Sequence, residues 1–134
     1  MIKNADFSYK DTPVYERMKK FLLSYKACKN ACEALENERE CGIVSAVGAE
    51  YRDAFLAECR HRCKMIEDFI QSADFDRDER QLFWLHYVEG LSIEKASEAM
   101  YVSRSTVFRI NKRAEGKAFT RFMSLESVER KNIC

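Results

Sequence analysis

The residues best suited to chemistry lie between Arg104 and Lys117. Arg104, Ser105, Thr106, Phe108, Arg109, Lys112, Arg113 and Lys117 are interleaved with Val107, Ile110 and Ala114. The three apolar residues fall at 3-4 spacing and form one helical face, so the others point away from it. Arg can bond O6 and N7 of guanine in a major groove, and Phe can lie on a thymine methyl. Lys, Arg and Ser can hold phosphates. This is chemistry for binding a duplex. Catalytic readings are poorer. His86 has no Ser, Cys or Asp placed by sequence as its partner, so it reads as a packed or surface residue. Asp74, Asp76, Asp78 and Glu79 lack the Gly and distal Glu of a calcium loop, and acids at a helix start need no metal. With no phosphate-cradling Gly loop and no His-Glu zinc signature, the chain is expected to be no enzyme and to need no cofactor.

Charge is distributed to match. The whole chain has 23 Lys+Arg against 22 Asp+Glu. Between Asp74 and Met100, Arg77, Arg80 and Lys95 face seven acids, a net −4; from Tyr101 to Arg121, six Lys/Arg face Glu115 alone, a net +5. A nearly neutral protein has concentrated positive charge on one helix. The plain alternative is an ordinary solvated face on a three-helix core. The coincidence with a capped turn favours DNA.

Three short helical patterns position these residues. Asp76 and Glu79 have the spacing of a capping box, and Gly90 closes the helix that they open. Ser92 caps a second helix, with Ile93, Ala96, Ala99 and Met100 on one side. Tyr101-Val102 makes the turn, and Ser103 caps the helix expected over 103–117. Helix, tight turn and capped helix is the helix-turn-helix layout.

The run from Leu82 to Ala114 resembles the DNA-binding fourth region of bacterial sigma factors. More closely, it is similar to the RinA/ArpU-like phage transcriptional regulators, which carry the same module behind a helical hairpin. The residues that match are Tyr87, Glu89, Gly90, Leu91 and Ser92, the small Ala96, and Ser103, Ser105, Thr106 and Val107. They cover about a third of the chain at motif level, and more loosely everything after Tyr51. The chain departs from the family at Tyr101, where Gly is usual. Tyr tolerates positive φ poorly, so the turn either differs here or is mildly strained. The resemblance implies phage or prophage regulation and docking on RNA polymerase.

Upstream, Thr12-Pro13 signals a helix start after an irregular N-terminus over 1–12, where Phe7 and Tyr9 have no evident partner. Val14, Met18, Phe21, Tyr25, Cys28, Cys32 and Leu35 then recur at 4-3 spacing, widened by Leu22. Cys41-Gly42 and Gly48 bracket a connection containing Ile43, Val44 and Val47. Leu56, Cys59, Cys63, Ile66, Ile70 and Ala73 form a second heptad run. Two such helices joined by a short loop predict an antiparallel hairpin over 13–73. The absence of a long linker allows the hairpin to share a surface with the module over 74–123. The basic helix is expected to carry on past Lys117 through Phe119 and Phe122, whose rings fold back onto Leu82, Phe83 and Trp84 or complete a dimer surface. Residues 124–134 read as a flexible tail.

Cys28, Cys32, Cys59 and Cys63 meet at one height in such a hairpin. They could fill a narrow apolar layer, hold zinc as four thiolates, or form two disulfides. Packing ranks first, because two i,i+4 pairs are not the tight loop spacing of zinc fingers. His61 lies off the seam and reads as solvated. Cys41 and Cys134 carry no assignment.

With 134 residues, 46% apolar and 34% charged, and only four Gly and one Pro, the chain suits one all-α domain or one with an extension. No apolar run approaches the roughly 20 residues of a membrane helix, and no secretory signal is evident, so a cytoplasmic, reducing setting is expected. The expected function is sequence-specific regulation of transcription. Arg104, Ser105, Thr106, Phe108 and Arg109 would meet base edges of double-stranded DNA. Ser92, Ser103, Lys112, Arg113 and Lys117 would hold phosphates. A homodimer would read two half-sites, with the hairpin as its surface or as a dock for RNA polymerase. Two alternatives remain: a sigma-like subunit that meets promoter DNA only on the polymerase, and a non-DNA helical adaptor.

Overall fold

The computed structural model describes residues 8–41, 46–72 and 74–133, and all its regular elements are helical. Ser8 caps a 3-10 turn over Tyr9–Asp11. The Thr12 hydroxyl accepts from the Tyr15 amide at 3.2 Å, and α1 runs Pro13–Cys41. Helix α2 runs Ala46–Ser72. Gly48 therefore lies inside α2 instead of ending the connection, and Ile43 and Val44 fall outside the described residues. The two helices are antiparallel: Tyr25 donates to Glu67 at 2.6 Å, and further along α1 Glu36 pairs with Arg60, earlier on α2.

The heptad residues of α2 bury as spaced, and those of α1 do so in part. Met18, Tyr25 and Cys32 of α1, with Leu22 beside them, are buried along with Leu56, Cys59, Cys63, Ile66 and Ile70 of α2, while Val14, Phe21, Cys28 and Leu35 are half-buried. Phe69, outside the a/d pattern, is buried too. Ala73 lies outside the described residues. Cys28, Cys32, Cys59 and Cys63 are free thiols that fill this seam, and among the described residues no group of three or more His, Cys, Asp or Glu is placed to hold a metal ion. Burial pushes the Cys63 thiol up to about 11 and raises that of Cys59. The protonated form that suits an apolar layer is thereby favoured over the thiolate that a metal requires. His61 is exposed.

Beyond the hairpin come α3 (Arg77–Phe83), a π-helical segment (Trp84–Val88), α4 (Ile93–Met100) and α5 (Arg104–Ile133). Asp76 and Glu79 form the full capping box, and Gly90, at φ 78°, closes the π segment. Within that wider turn the His86 Nδ1–H donates to the Leu91 carbonyl at 2.7 Å, so His86 is a half-buried structural residue. Leu82, Ala96, Val107 and Ile110 form the core joining α3, α4 and α5, with Ile93 and Met100 against it. Ala99 faces solvent, contrary to the expected stripe; the side chain that buries beside Ala96 is Ser97, whose hydroxyl donates to the Glu94 carbonyl at 2.6 Å.

A second core runs through both halves of the chain. It gathers Met18, Leu22, Ile66, Phe69, Ile70, Phe75, Phe83, Tyr87, Ala114 and Ala118. Helix α5 continues well past Lys117 as its fourth side. The 124–134 stretch is helical as far as Ile133, and Arg17 grips Glu126 through two bonds of 2.7 and 2.8 Å. Phe119 stacks on Tyr9, while Phe122 packs on Phe21 and Phe69. Their ring partners are thus on the hairpin and the N-terminal turn, in the cluster that also holds Phe83 and Trp84, whereas Leu82 belongs to the other core. No helix among the described residues is long and apolar enough to cross a membrane.

Candidate nucleic-acid interface

The connection between α4 and α5 is three residues long. Ser92 accepts from the Lys95 amide at 3.1 Å, opening α4, and Ser103 accepts from the Thr106 amide at 3.2 Å, opening α5. Between the helices, Tyr101 adopts φ 59° and ψ 41°, the left-handed conformation, with its ring 96% exposed. This conformation costs an L-residue roughly 1–2 kcal/mol. Of the two outcomes for a non-Gly turn, strain is the one realised.

Val107, Ile110 and Ala114 are buried, which fixes the rotation of α5. Arg104, Ser105, Phe108, Arg109 and Lys112 consequently face solvent, and Thr106 is half-covered by its cap bond. Arg104 pairs with Glu94 of α4 at 2.9 Å and lies over the Phe108 ring, 5.7 Å from its centroid. Both ends of that pair are largely solvated, so it competes weakly with a stronger anion. Arg109 and Lys112 have no acidic partner among the described residues.

Arg113 and Lys117 are arranged differently. Glu79 is completely buried at the start of α3 and receives Lys117 Nζ at 2.7 Å, the Asp76 amide at 2.8 Å and Arg113 Nε at 3.2 Å. Arg113 also reaches Asp76 at 3.4 Å. Burial alone would raise the Glu79 pKa, but the bonds from Lys117, the Asp76 amide and Arg113 outweigh it and hold the carboxyl below its ordinary value. Two of the expected phosphate contacts therefore also anchor α5 to α3.

A second interior acid ties α5 to α1. Glu115 is buried and accepts from Tyr15 Oη at 3.0 Å and Lys19 Nζ at 3.2 Å, with Lys10 at 3.7 Å. Lys19 also donates to Tyr87 Oη at 2.6 Å. Burial, then the Glu115 charge, pushes the Tyr15 hydroxyl up to about 12. The sole acid in the basic run thus points inward and subtracts little from the outer face. The anchoring roles of Glu79 and Glu115 were not legible from sequence. Glu79 showed only as a cap residue, and its partners lie 34 and 38 positions away.

The solvent face continues past Lys112 into an open groove of about 730 Å³, lined by Lys112, Arg113, Gly116, Lys117, Thr120 and Arg121 among others. The hairpin covers none of Arg104, Arg109 and Lys112.

Compared with known proteins, the chain matches no family model, no curated protein and no solved structure.

Proposed function

We propose that the chain is a sequence-specific, DNA-binding transcription regulator of the phage type, acting as a homodimer, with the N-terminal half of α5 in the major groove. Arg104, Ser105, Thr106, Phe108 and Arg109 meet base edges. Lys112, with Ser92, Ser103 and the free amides at the two capped helix starts, meets phosphates. Arg113 and Lys117 lie alongside, half-committed to Glu79. The observation that carries this reading is the pair of exposed cations, Arg109 and Lys112, which have no acidic partner among the described residues and sit on a helix whose rotation is fixed by its buried face. After selection of a preferred site from random duplexes, Arg109→Ala should lose roughly 1–3 kcal/mol on that site and discriminate less among sequences. Lys112→Ala should weaken all duplexes about equally. Identical behaviour of the two variants would remove the division between base and phosphate contacts.

One observation favours a second reading. Arg104, Arg113 and Lys117 already face acids, which lowers the stand-alone DNA affinity. A sigma-like subunit that meets promoter DNA only on RNA polymerase would behave so. Clear mobility shifts of random duplex at low salt, without polymerase, favour the regulator.

A further inference from the structure

Helix α2 carries a second stripe with heptad spacing beside its buried seam. It runs Tyr51, Phe55, Glu58, Arg62 and Met65, at intervals of 4-3-4-3. Tyr51, Phe55 and Met65 are 80%, 54% and 41% exposed, large areas for apolar side chains. Glu58 and Arg62 are also exposed, and neither has a partner among the described residues. Neighbouring exposed charges on α2 do pair, Arg60 with Glu36 and Lys64 with Asp68. Three shallow hollows follow the stripe, lined successively by Phe55 and Cys28, by Phe21 and Arg62, and by Met65 and Leu125.

The order of residues along this stripe is self-complementary. Turned end for end about position 60, the stripe places Glu58 over Arg62 and Phe55 over Met65. An antiparallel pair of such helices matches a-type with d-type positions, as these layers do. Opposite charges meet twice at the centre, and apolar side chains meet on both flanks.

We propose that this face of α2 is a homodimer interface, in which α2 packs antiparallel on its copy with Glu58 of each chain against Arg62 of the other. The partner it fits is a second copy, because the charge order is complementary to itself when reversed. This assigns a surface to the homodimer part of the proposed function. It lies on a different helix from Arg109 and Lys112, and oligomeric state is read without DNA, so the interface and the DNA contacts fail separately: a wild-type monomer removes the homodimer and its interface together, and single variants that still dimerise remove the interface alone.

The test is sedimentation equilibrium of the full chain across micromolar to submillimolar concentrations. Wild type should approach twice the 15.7 kDa chain mass. Glu58→Arg and Arg62→Glu, each alone, bring like charges together twice and should weaken dimerisation by about tenfold or more. An equimolar mixture of the two variants should dimerise again, since each now faces its opposite. Rescue on mixing also shows that both variants are folded. The double variant E58R/R62E should dimerise like wild type. A wild-type monomer throughout, single variants that dimerise as well as wild type, or a mixture that stays monomeric would each overturn the interface.

Discussion

Glu79→Gln should make the fold weaker and the DNA affinity stronger, an unusual combination that follows from where Glu79 sits. Its carboxylate is fully buried and receives two cations and one amide. Gln keeps an oxygen for the Asp76 amide, so the capping box survives and the loss is mainly of charge. Breaking a buried ion pair costs about 3–5 kcal/mol. Here the Arg113 and Lys117 side chains remain 53% and 40% exposed, so water recovers part of their solvation and about 2–3 kcal/mol is expected. Both cations then become available to phosphates. The slope of log affinity against log salt should steepen by up to about 1.8, at about 0.9 per phosphate. Urea denaturation reads the first effect, and salt-titrated fluorescence anisotropy on a random duplex reads the second. The pH dependence follows from the depressed pKa of Glu79. The group contributes stability above its unfolded value of about 4.3, and this is lost as pH falls through the lower folded value. Wild type and variant should therefore converge in stability in acid. A Gln variant as stable as wild type at neutral pH, or one whose DNA affinity falls while it remains folded, would show that Glu79 does not hold Arg113 and Lys117 in this way.

Other expectations concern the fold. Tyr101→Gly relieves a left-handed residue and should raise stability by about 1 kcal/mol, whereas Gly90→Ala, at φ 78°, should lower it by a similar amount; thermal melts read both. Ile70→Ala opens a cavity in the core shared by the hairpin and α5 and should cost about 2–5 kcal/mol in urea. A single unfolding transition should persist if that core is shared. Cys59 and Cys63, buried with raised pKa values, should react with a thiol reagent at pH 8 far more slowly in the folded chain than in urea.

The helical architecture was legible because its signals are local. Thr12-Pro13, the Asp76–Glu79 box, Gly90, Ser92 and Ser103 each mark a helix end through bonds within a few residues. The heptad spacing carried the hairpin seam, and the Val107/Ile110/Ala114 spacing carried the rotation of α5. What escaped depends on packing between distant segments. Nothing local distinguishes an exposed tail from one held by Arg17 through Glu126, so the sequence marks no helix beyond Phe122, whereas α5 runs on to Ile133. Gly48 looked like punctuation but sits within the first turn of α2, where its cost is only about 1 kcal/mol. Ala99 matched the apolar spacing but faces water because Ile93, Ala96, Ser97 and Met100 share one arc of α4 and Ala99 lies outside it. Among the candidate site residues, Arg109 and Lys112 are exposed, with no acidic partner among the described residues. The commitment of Arg113 and Lys117 to Glu79 needed the α3–α5 contact to become visible.

Whether the outward face of α5 binds a duplex is read by fluorescence anisotropy of the full chain on a random-sequence duplex at low salt, beside the Arg109→Ala/Lys112→Ala double variant. Saturable binding is predicted for wild type, with the double variant weaker and its salt slope flatter by about 0.9, the share of the one phosphate contact at Lys112. Equal binding by the two proteins, or none by either, would contradict the account.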